Sequence, residues 1–215
     1  MPVRGGPDAP KGGYPDGRVS DLLHEIARVD AFVLRESTEF RWAPLTAFFV
    51  IASAWWVKGL AFVAVGALRD VRARRPVPIT ALSAVVALGL ASISAAILKD
   101  AFDRARPAVA DPTLQPLVAT PGSSSFPSGH AATAFAAAAA VGVLCPRLRW
   151  PLYLLAALIA LSRVYLGVHY WLDIAAGAVL GIVIGLGAAW LLRRDARPAG
   201  DAPVTNPGTS GTNTP

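Results

Sequence analysis

Three short polar segments have residue types and spacings that suit phosphate chemistry. In chain order they are Lys99 followed after six residues by Arg106-Pro107, then Pro127-Ser128-Gly129-His130, then Ser162-Arg163 followed by His169 and Asp173. Each segment lies at the end of a strongly apolar run, where a charged side chain is costly and usually functional. Together they supply two histidines, three cations, a hydroxyl group and a carboxylate. This inventory predicts transfer of a phosphoryl group through a histidine, without a metal ion.

His169 and Asp173 are predicted to form a pair, because four residues make about one turn of a helix. A carboxylate on one imidazole nitrogen fixes the tautomer and leaves the other nitrogen a better nucleophile. The alternative is an interfacial pair that only satisfies its own hydrogen bonds. The pair by itself does not separate these two interpretations.

The cations of the three segments are candidate phosphate ligands. The planar guanidinium of Arg163 or Arg106 can bind two phosphate oxygens at once, and Lys99 adds a point charge. The alternative for each is interfacial anchoring, in which a long side chain carries its charge to the membrane surface. Arg104 lies close by and ranks below these three, because it falls outside the motif spacing.

The segment Pro127–His130 is predicted to open a helix that binds an anion. Ser128 is expected to cap this helix, and Gly129 has no side chain to block a close approach. Free backbone amides and the helix dipole favour a negative charge there. A phosphate beside His130 would favour the protonated imidazole, which suits a general acid. The alternative is an ordinary capped helix with an interfacial histidine.

The composition indicates what positions these segments. The 215 residues are 54% hydrophobic and 16% charged, whereas soluble domains carry about a quarter of charged residues. A span needs about 20 apolar residues, and the sequence predicts an all-α, polytopic transmembrane helix bundle of five to six spans. The predicted spans are 43–68, 78–98, 128–144, 150–168 and 170–192. The net charge of +6 is assigned to arginines beside the spans and not to nucleic-acid binding.

The remaining segments are predicted to frame one membrane domain over 19–195. Residues 1–18 and 196–215 are rich in Pro, Gly or Thr and are expected to be disordered tails. The segment 20–36, with Ser20 as its cap, is predicted to be an amphipathic helix on the membrane surface. No function is assigned to His24 on this helix, and the role of Lys58 inside the first span stays open.

The arginines also predict an orientation. Arginine-rich segments at 69–75, 147–149 and 193–197 are expected in the cytoplasm. Because successive spans alternate in direction, all three polar segments then lie together at the extracytoplasmic face. Five spans place the amino terminus on that face as well, and a sixth crossing by 20–40 would reverse its side. A bacterial plasma membrane is the expected location.

The three polar segments resemble the three-part signature of the type 2 phosphatidic acid phosphatase family, which includes vanadium-dependent haloperoxidases. Every signature position is matched, in order, within 99–173. The resemblance implies that His169 attacks phosphorus, Asp173 orients it, and His130 protonates the leaving oxygen. It also implies five phosphate ligands: Lys99, Arg106, Ser128, Gly129 and Arg163. No cofactor or metal is implied, and Asp100, Asp103 and Asp111 of the outer loop form no metal-ligand set.

The resemblance implies a membrane lipid phosphate as the substrate. Phosphatidate, phosphatidylglycerophosphate and a polyprenyl phosphate or diphosphate all remain open, as does the oligomeric state. A haloperoxidase is disfavoured because those relatives are soluble. A transporter would need buried charge in mid-span. A non-catalytic lipid-phosphate-binding membrane protein of the same fold is the principal alternative.

Overall fold

The computed structural model describes residues 17–39, 41–54 and 57–195, and within these ranges it contains helices and no strand. The α-helices are α1 (Gly17–Glu39), α2 (Ala43–Ala52), α3 (Val57–Arg72), α4 (Ile79–Phe102), α5 (Pro107–Ala110), α6 (Gly129–Leu144), α7 (Arg149–Tyr165) and α8 (Trp171–Asp195). A 3₁₀ turn, Pro146–Leu148, joins α6 to α7. The predicted all-α helix bundle is therefore confirmed.

Three helical stretches are long and apolar enough to cross a membrane: Ile79–Ala110, Pro146–Tyr165 and Trp171–Arg193. They correspond to the second, fourth and fifth predicted spans. α2 and α6 are apolar but shorter. α6 is nevertheless the central helix, since it packs against α3, α4, α7 and α8 and most of its residues are buried.

The predicted first span, 43–68, is not a single helix in the structure. α2 ends at Ala52 and α3 begins at Val57. The backbone oxygen of Ser53, which would accept a hydrogen bond inside an unbroken helix, lies 3.1 Å from Nε2 of His130. The carbonyl is thus used by another helix, which is a recognised cause of a helix break. The side chain of Lys58 lies outside the described residues.

A stripe of three glycines brings α8 against α6. Gly177, Gly181 and Gly185 are four residues apart, so they share one face of α8. A Cβ atom at Gly181 would lie 2.2 Å from the Ala132 oxygen, and one at Gly185 would lie 2.2 Å from the Ala136 oxygen. Only glycine permits this approach of the two backbones, which brings the amino-terminal ends of α6 and α8 together.

The arginine-rich turns and the three polar segments lie at opposite ends of the bundle. Asp70 of α3 accepts hydrogen bonds from the amides of Thr80 and Ala81 at 2.7 and 3.0 Å, which caps α4 at its start. Arg69 and Arg147 line a common cavity at the same end. The 24 residues of α4 then extend for roughly 36 Å at 1.5 Å per residue, and Lys99 is near their other end.

The amino-terminal helix packs on the bundle by one face. α1 begins at Gly17, so Ser20 lies inside the helix and the prediction that it caps α1 is wrong. Leu34 is completely buried, and Trp171 Nε1 of α8 donates to Ser37 Oγ at 3.2 Å. Several apolar residues of this amphipathic helix stay exposed: Leu22, Ile26, Val29 and Val33. Apart from Gly17 and Arg18 in α1, the two predicted tails lie outside the described residues.

Candidate active site

The eight residues predicted from the sequence converge at one end of the bundle. Six of them line a single cavity of about 270 Å³: Lys99, Arg106, Gly129, His130, Arg163 and His169. The other two, Ser128 and Asp173, are fully buried. Four helices contribute, because α4 and α7 end here and α6 and α8 begin here. The structure therefore brings the whole predicted set together.

His169 lies in the turn between α7 and α8, between a carboxylate and a guanidinium. Its Nδ1 is 3.3 Å from Oδ2 of Asp173, and its Nε2 is 3.3 Å from Nη1 of Arg106. A carboxylate only accepts and a guanidinium only donates. Nδ1 therefore carries the proton, and Nε2 presents its lone pair.

The environment keeps His169 neutral. Burial lowers the pKa of His169 from 6.5 to about 4, although the hydrogen bond that His169 donates to Asp173 opposes this shift and the charge of Arg106 supports it. Desolvation penalises the charged imidazolium, which is the usual effect of burial on histidine. At neutral pH the Nε2 lone pair is available for bonding.

Four donors hold the carboxylate of Asp173. Oδ2 accepts from Nδ1 of His169, from the amide of Tyr170 at 2.9 Å and from the hydroxyl of Ser125 in a very short hydrogen bond. Oδ1 accepts from Nη1 of Arg104 at 2.7 Å. A buried carboxylate needs such partners, and here they leave one edge of Asp173 directed at the imidazole.

Two of these partners were missed or ranked low by sequence reasoning. Ser125 was not a candidate, and no sequence signal separates it from Ser123 and Ser124. Arg104 was placed below the motif cations, but it contacts both Asp173 and Asp30 of α1. The sequence signal that could have pointed to Arg104 was Asp30, a carboxylate among the apolar residues of the amphipathic helix.

Backbone carbonyl groups of the segment 123–125 hold two of the cations. Lys99 Nζ donates to the Ser124 oxygen at 2.5 Å. Arg106 Nε donates to the Ser123 oxygen at 2.8 Å, and its Nη2 donates to the Ser124 oxygen at 3.3 Å. Neutral carbonyl partners orient these side chains without cancelling their charge, so the cavity keeps a positive potential.

Two buried polar atoms of the predicted site lack a hydrogen-bond partner. Within the described residues, only three buried side-chain atoms are in this position: Thr120 Oγ1, Ser128 Oγ and Arg163 Nε. Such groups are rare, since an unmet buried donor costs about 1–3 kcal/mol. A bound anion with several oxygens would give a hydrogen-bond partner to both the Ser128 hydroxyl and the Arg163 guanidinium.

Ser128 stands at the N-cap position of α6, but the prediction that its side chain caps the helix is wrong. The side chain makes no cap hydrogen bond. The helix start is instead anchored through the backbone, because the Ser128 amide donates to the backbone carbonyl oxygen of Asp173 at 2.9 Å. A Cβ atom on the neighbouring Gly129 would meet no atom within 4 Å, so it would occupy the cavity.

His130 is oriented by the break between α2 and α3. Its Nε2 lies 3.1 Å from the backbone oxygen of Ser53. A carbonyl oxygen only accepts, so Nε2 carries a proton. Nε2 of His130 therefore donates to the Ser53 carbonyl, whereas Nε2 of His169 presents a lone pair.

The described residues contain no group of three or more His, Cys, Asp or Glu side chains arranged to hold a metal ion. The cavity is lined instead by Lys99, Arg106 and Arg163, with Asp173 behind His169. Three cations around so small a space favour a compact, multiply charged anion such as a phosphoryl group.

The fold and the site define a class: a multi-pass, all-helical membrane protein with a histidine–aspartate pair beside a cluster of cations. The model of the PAP2 superfamily matches residues 80–197, which is more than half of the chain. The chain therefore belongs to the PAP2 superfamily, and the family resemblance of its three polar segments is confirmed.

Two curated relatives carry functional names. The chain is 38% identical over 120 residues to the decaprenylphosphoryl-5-phosphoribose phosphatase of Mycobacterium tuberculosis, covering 56% of this chain and 63% of the relative. It is 30% identical over 154 residues to the undecaprenyl-diphosphatase of Sulfolobus acidocaldarius, covering 70% of this chain and 63% of the relative. The chain thus spans less than two thirds of the length of these relatives.

The architecture also matches a solved structure. A transmembrane PAP2-type phosphatidylglycerolphosphate phosphatase of Bacillus subtilis superposes with a TM-score of 0.66 at 21% identity, covering 83% of this chain and 92% of the other. At this identity the likeness shows the fold alone.

Proposed function

We propose that this protein is an integral-membrane lipid phosphate phosphatase that works through a phosphohistidine and needs no metal ion. The observation that carries the proposal is the convergence of His130, His169 and three cations on one cavity. The curated relatives support it, because they are named as phosphatases of polyprenyl-linked substrates.

In the first step, the Nε2 lone pair of His169 attacks phosphorus and the ester or anhydride bond to the lipid breaks. His130, protonated on both ring nitrogens beside the bound phosphate, gives one proton to the leaving oxygen and becomes neutral. The proposed phosphate ligands neutralise the charge that spreads over the remaining phosphoryl oxygens: Lys99, Arg106, Ser128, Gly129 and Arg163. Preorganised donors of this kind supply much of the catalysis of phosphoryl transfer.

In the second step, water attacks the phosphohistidine. His130, which is now deprotonated, takes a proton from that water, and the bond between phosphorus and Nε2 breaks. Inorganic phosphate leaves, and His169 returns to its neutral form. Asp173 stays ionised through both steps and holds Nδ1 of the imidazole.

The site is proposed to face the extracytoplasmic side of a bacterial plasma membrane. Support comes from its position at the end of the bundle opposite the arginine-rich turns, because such turns stay in the cytoplasm. Residues 19–195 would form the phosphatase domain. A lipid whose head group lies at this surface could place its phosphate in the cavity and leave its chain in the bilayer.

We propose a polyprenyl phosphate or diphosphate as the preferred substrate class. The support comes from the names of the relatives, one a phosphatase of a decaprenylphosphoryl compound and the other an undecaprenyl-diphosphatase. Phosphatidate and phosphatidylglycerophosphate are the phospholipids to compare.

The experiment measures phosphate release by detergent-purified protein with a chelator present. The panel contains undecaprenyl diphosphate, undecaprenyl phosphate, phosphatidate and phosphatidylglycerophosphate. We expect turnover by the wild type and none by His169→Ala. His24→Ala is the matched control, because His24 lies on an exposed part of α1. Well-folded wild type that releases phosphate from no lipid would overturn the proposal in favour of a non-catalytic lipid-phosphate-binding role.

A further inference from the structure

Asp30 is the one α1 carboxylate that the fold buries among the described residues of that helix. It is 5% exposed, although α1 lies at the periphery of the bundle. Both of its oxygens have partners on other elements. Oδ2 accepts from Nη2 of Arg104 at 2.8 Å, and Oδ1 accepts from the amide of Leu172 at 3.2 Å. Asp30 therefore touches both the loop after α4 and the first turn of α8.

Arg104 joins Asp30 to the carboxylate behind His169. While Nη2 donates to Asp30, Nη1 donates to Oδ1 of Asp173 at 2.7 Å. The guanidinium also lies 4.1 Å from the ring centroid of Tyr170. The Arg104 backbone is held by the segment 123–125, since its amide donates to Ser124 Oγ at 2.9 Å. The side chain has little freedom to move away from either carboxylate.

We propose that Asp30 and Arg104 are positioning residues for the histidine–aspartate pair, so that the amino-terminal helix α1 takes part in building the active site. Asp30 holds Arg104, Arg104 holds one oxygen of Asp173, and the other oxygen of Asp173 holds Nδ1 of His169. This inference rests on the proposed phosphatase function. It assigns to α1 a role beyond lying at the membrane surface.

The geometry explains why the second carboxylate matters. The contact between Asp173 Oδ2 and His169 Nδ1 is 3.3 Å, longer than the 2.7 Å contact between Asp173 Oδ1 and Arg104. Without the charge of Asp30, the guanidinium would be attracted by Asp173 alone. The carboxylate would then turn towards Arg104 and lengthen its already long contact with the imidazole.

The expected effect falls on the chemical step and not on substrate binding. Neither Asp30 nor Arg104 lines the phosphate cavity. A misdirected imidazole lowers kcat, because attack needs an aligned lone pair. KM should change little, since the cations of the cavity stay in place.

A purely structural role for Asp30 would be to dock α1 on the bundle. Docking has other support, because Leu34 is completely buried and Trp171 donates to Ser37. The test must therefore separate a loss of chemistry from a loss of stability.

Asp30→Asn is the informative variant. The asparagine oxygen can still accept from the Leu172 amide, but the charge that attracts Arg104 is gone. We expect kcat to fall about 10-fold, because small misplacements at a reacting centre cost one to two orders of magnitude. KM should stay within about 2-fold of the wild type, since the ground-state contacts are unchanged. Glu25→Gln is the matched control, because among the described residues exposed Glu25 of the same helix bonds to Arg28 alone.

Arg104→Gln is the second variant of the experiment. If Asp30 acts through Arg104, the double variant Asp30→Asn/Arg104→Gln should have the same kcat as Arg104→Gln alone, which is the signature of coupled residues in a double-mutant cycle. Additive losses would overturn the proposed chain of contacts. An Asp30→Asn protein with the wild-type kcat would also overturn it.

A spectroscopic readout keeps this inference separate from the proposed function. The ¹⁵N resonance of His169 Nδ1 in detergent-solubilised protein should shift in Asp30→Asn and stay unchanged in Glu25→Gln. An unchanged resonance in Asp30→Asn would overturn the inference even if no lipid is hydrolysed. Absence of turnover by the wild type would count against the phosphatase function only.

Discussion

Nη1 of Arg106 lies 3.3 Å from Nε2 of His169 and donates to the backbone oxygen of Val168 at 2.9 Å. The cation that faces the imidazole lone pair is thus held by a neutral carbonyl group. A phosphoryl oxygen bound by Arg106 would bring phosphorus close to the proposed nucleophile. The proposed phosphate ligand Arg106 is therefore in direct contact with the proposed nucleophile His169.

Replacement of His169 and replacement of His130 should produce different kinetic defects. For His169→Ala we expect kcat to fall by about 1000-fold or more, because the covalent route is lost. For His130→Ala we expect a smaller defect with p-nitrophenyl phosphate than with a lipid, because nitrophenolate leaves without a proton. Rapid-quench kinetics should show a burst of nitrophenolate and a trapped phosphohistidine in His130→Ala. Equal defects of His130→Ala on both substrates would contradict the general-acid role.

The pH profile should report the buried imidazole. Since the pKa of His169 is lowered to about 4, the neutral nucleophile persists down to that pH. We expect kcat/KM to be flat on its acid side until about pH 4 and then to fall as His169 becomes protonated, because this profile reports groups of the free enzyme. Stability should decline at a higher pH than this fall in activity, as the pH drops from 6.5 towards 4, because the unfolded chain binds the extra proton more readily. An acid limb at pH 6–7, with circular dichroism showing folded protein, would contradict this assignment.

Gly129→Ala should separate folding from binding. The new methyl group would meet no protein atom within 4 Å but would enter the cavity. We expect an unchanged or slightly higher melting temperature, because alanine favours a helix over glycine by about 1 kcal/mol. KM for the lipid and the inhibition constant for vanadate should both rise. Gly89→Ala on α4 is the control, since its methyl group also meets no atom and lies outside the cavity.

Metal removal should leave activity unchanged, and vanadate should inhibit. In the proposed mechanism, Lys99, Arg106 and Arg163 of the cavity lining supply the positive charge that a metal ion supplies in other phosphatases. Vanadate can adopt the geometry of the phosphoryl transition state, and transition-state analogues bind more tightly than substrates. The measurement is phosphate release after dialysis against a chelator, with and without added Mg²⁺. Recovery of lost activity by the metal would contradict a metal-free mechanism.

The glycine stripe of α8 should be intolerant of side chains. A methyl group at Gly181 would lie 2.2 Å from the Ala132 oxygen, whereas one at Gly187 would meet no atom within 4 Å. We expect Gly181→Ala to lose about 1–3 kcal/mol of stability through overpacking. Gly187→Ala on the same helix should be neutral or stabilising. Thermal unfolding in detergent measures both, and equal melting temperatures would mean that the helices separate at little cost.

The membership of the candidate site could be predicted from the sequence because its determinants are local. Apart from Lys58, the charged residues near the predicted spans lie where the apolar runs end, and alternating spans bring alternate ends to one face. The four-residue spacing of His169 and Asp173 likewise follows from the pitch of a helix. These constraints operate along the chain, and together with the family resemblance of the three polar segments they allowed all eight candidate site residues to be named before any packing was known.

The tertiary structure alone decided which groups support the site. Asp30 and Arg104 are 74 residues apart, and Ser53 and His130 are 77 residues apart. Whether such groups meet depends on which helices pack together. Helix packing in turn depends on side-chain volumes, for example on the absence of side chains at the glycines of α8. The break after α2 arises from the same cause, because the Ser53 carbonyl bonds to the histidine that helix packing brings near. The residue types at the helix ends could thus be read from the sequence, whereas the contacts that orient those side chains depend on how distant helices pack.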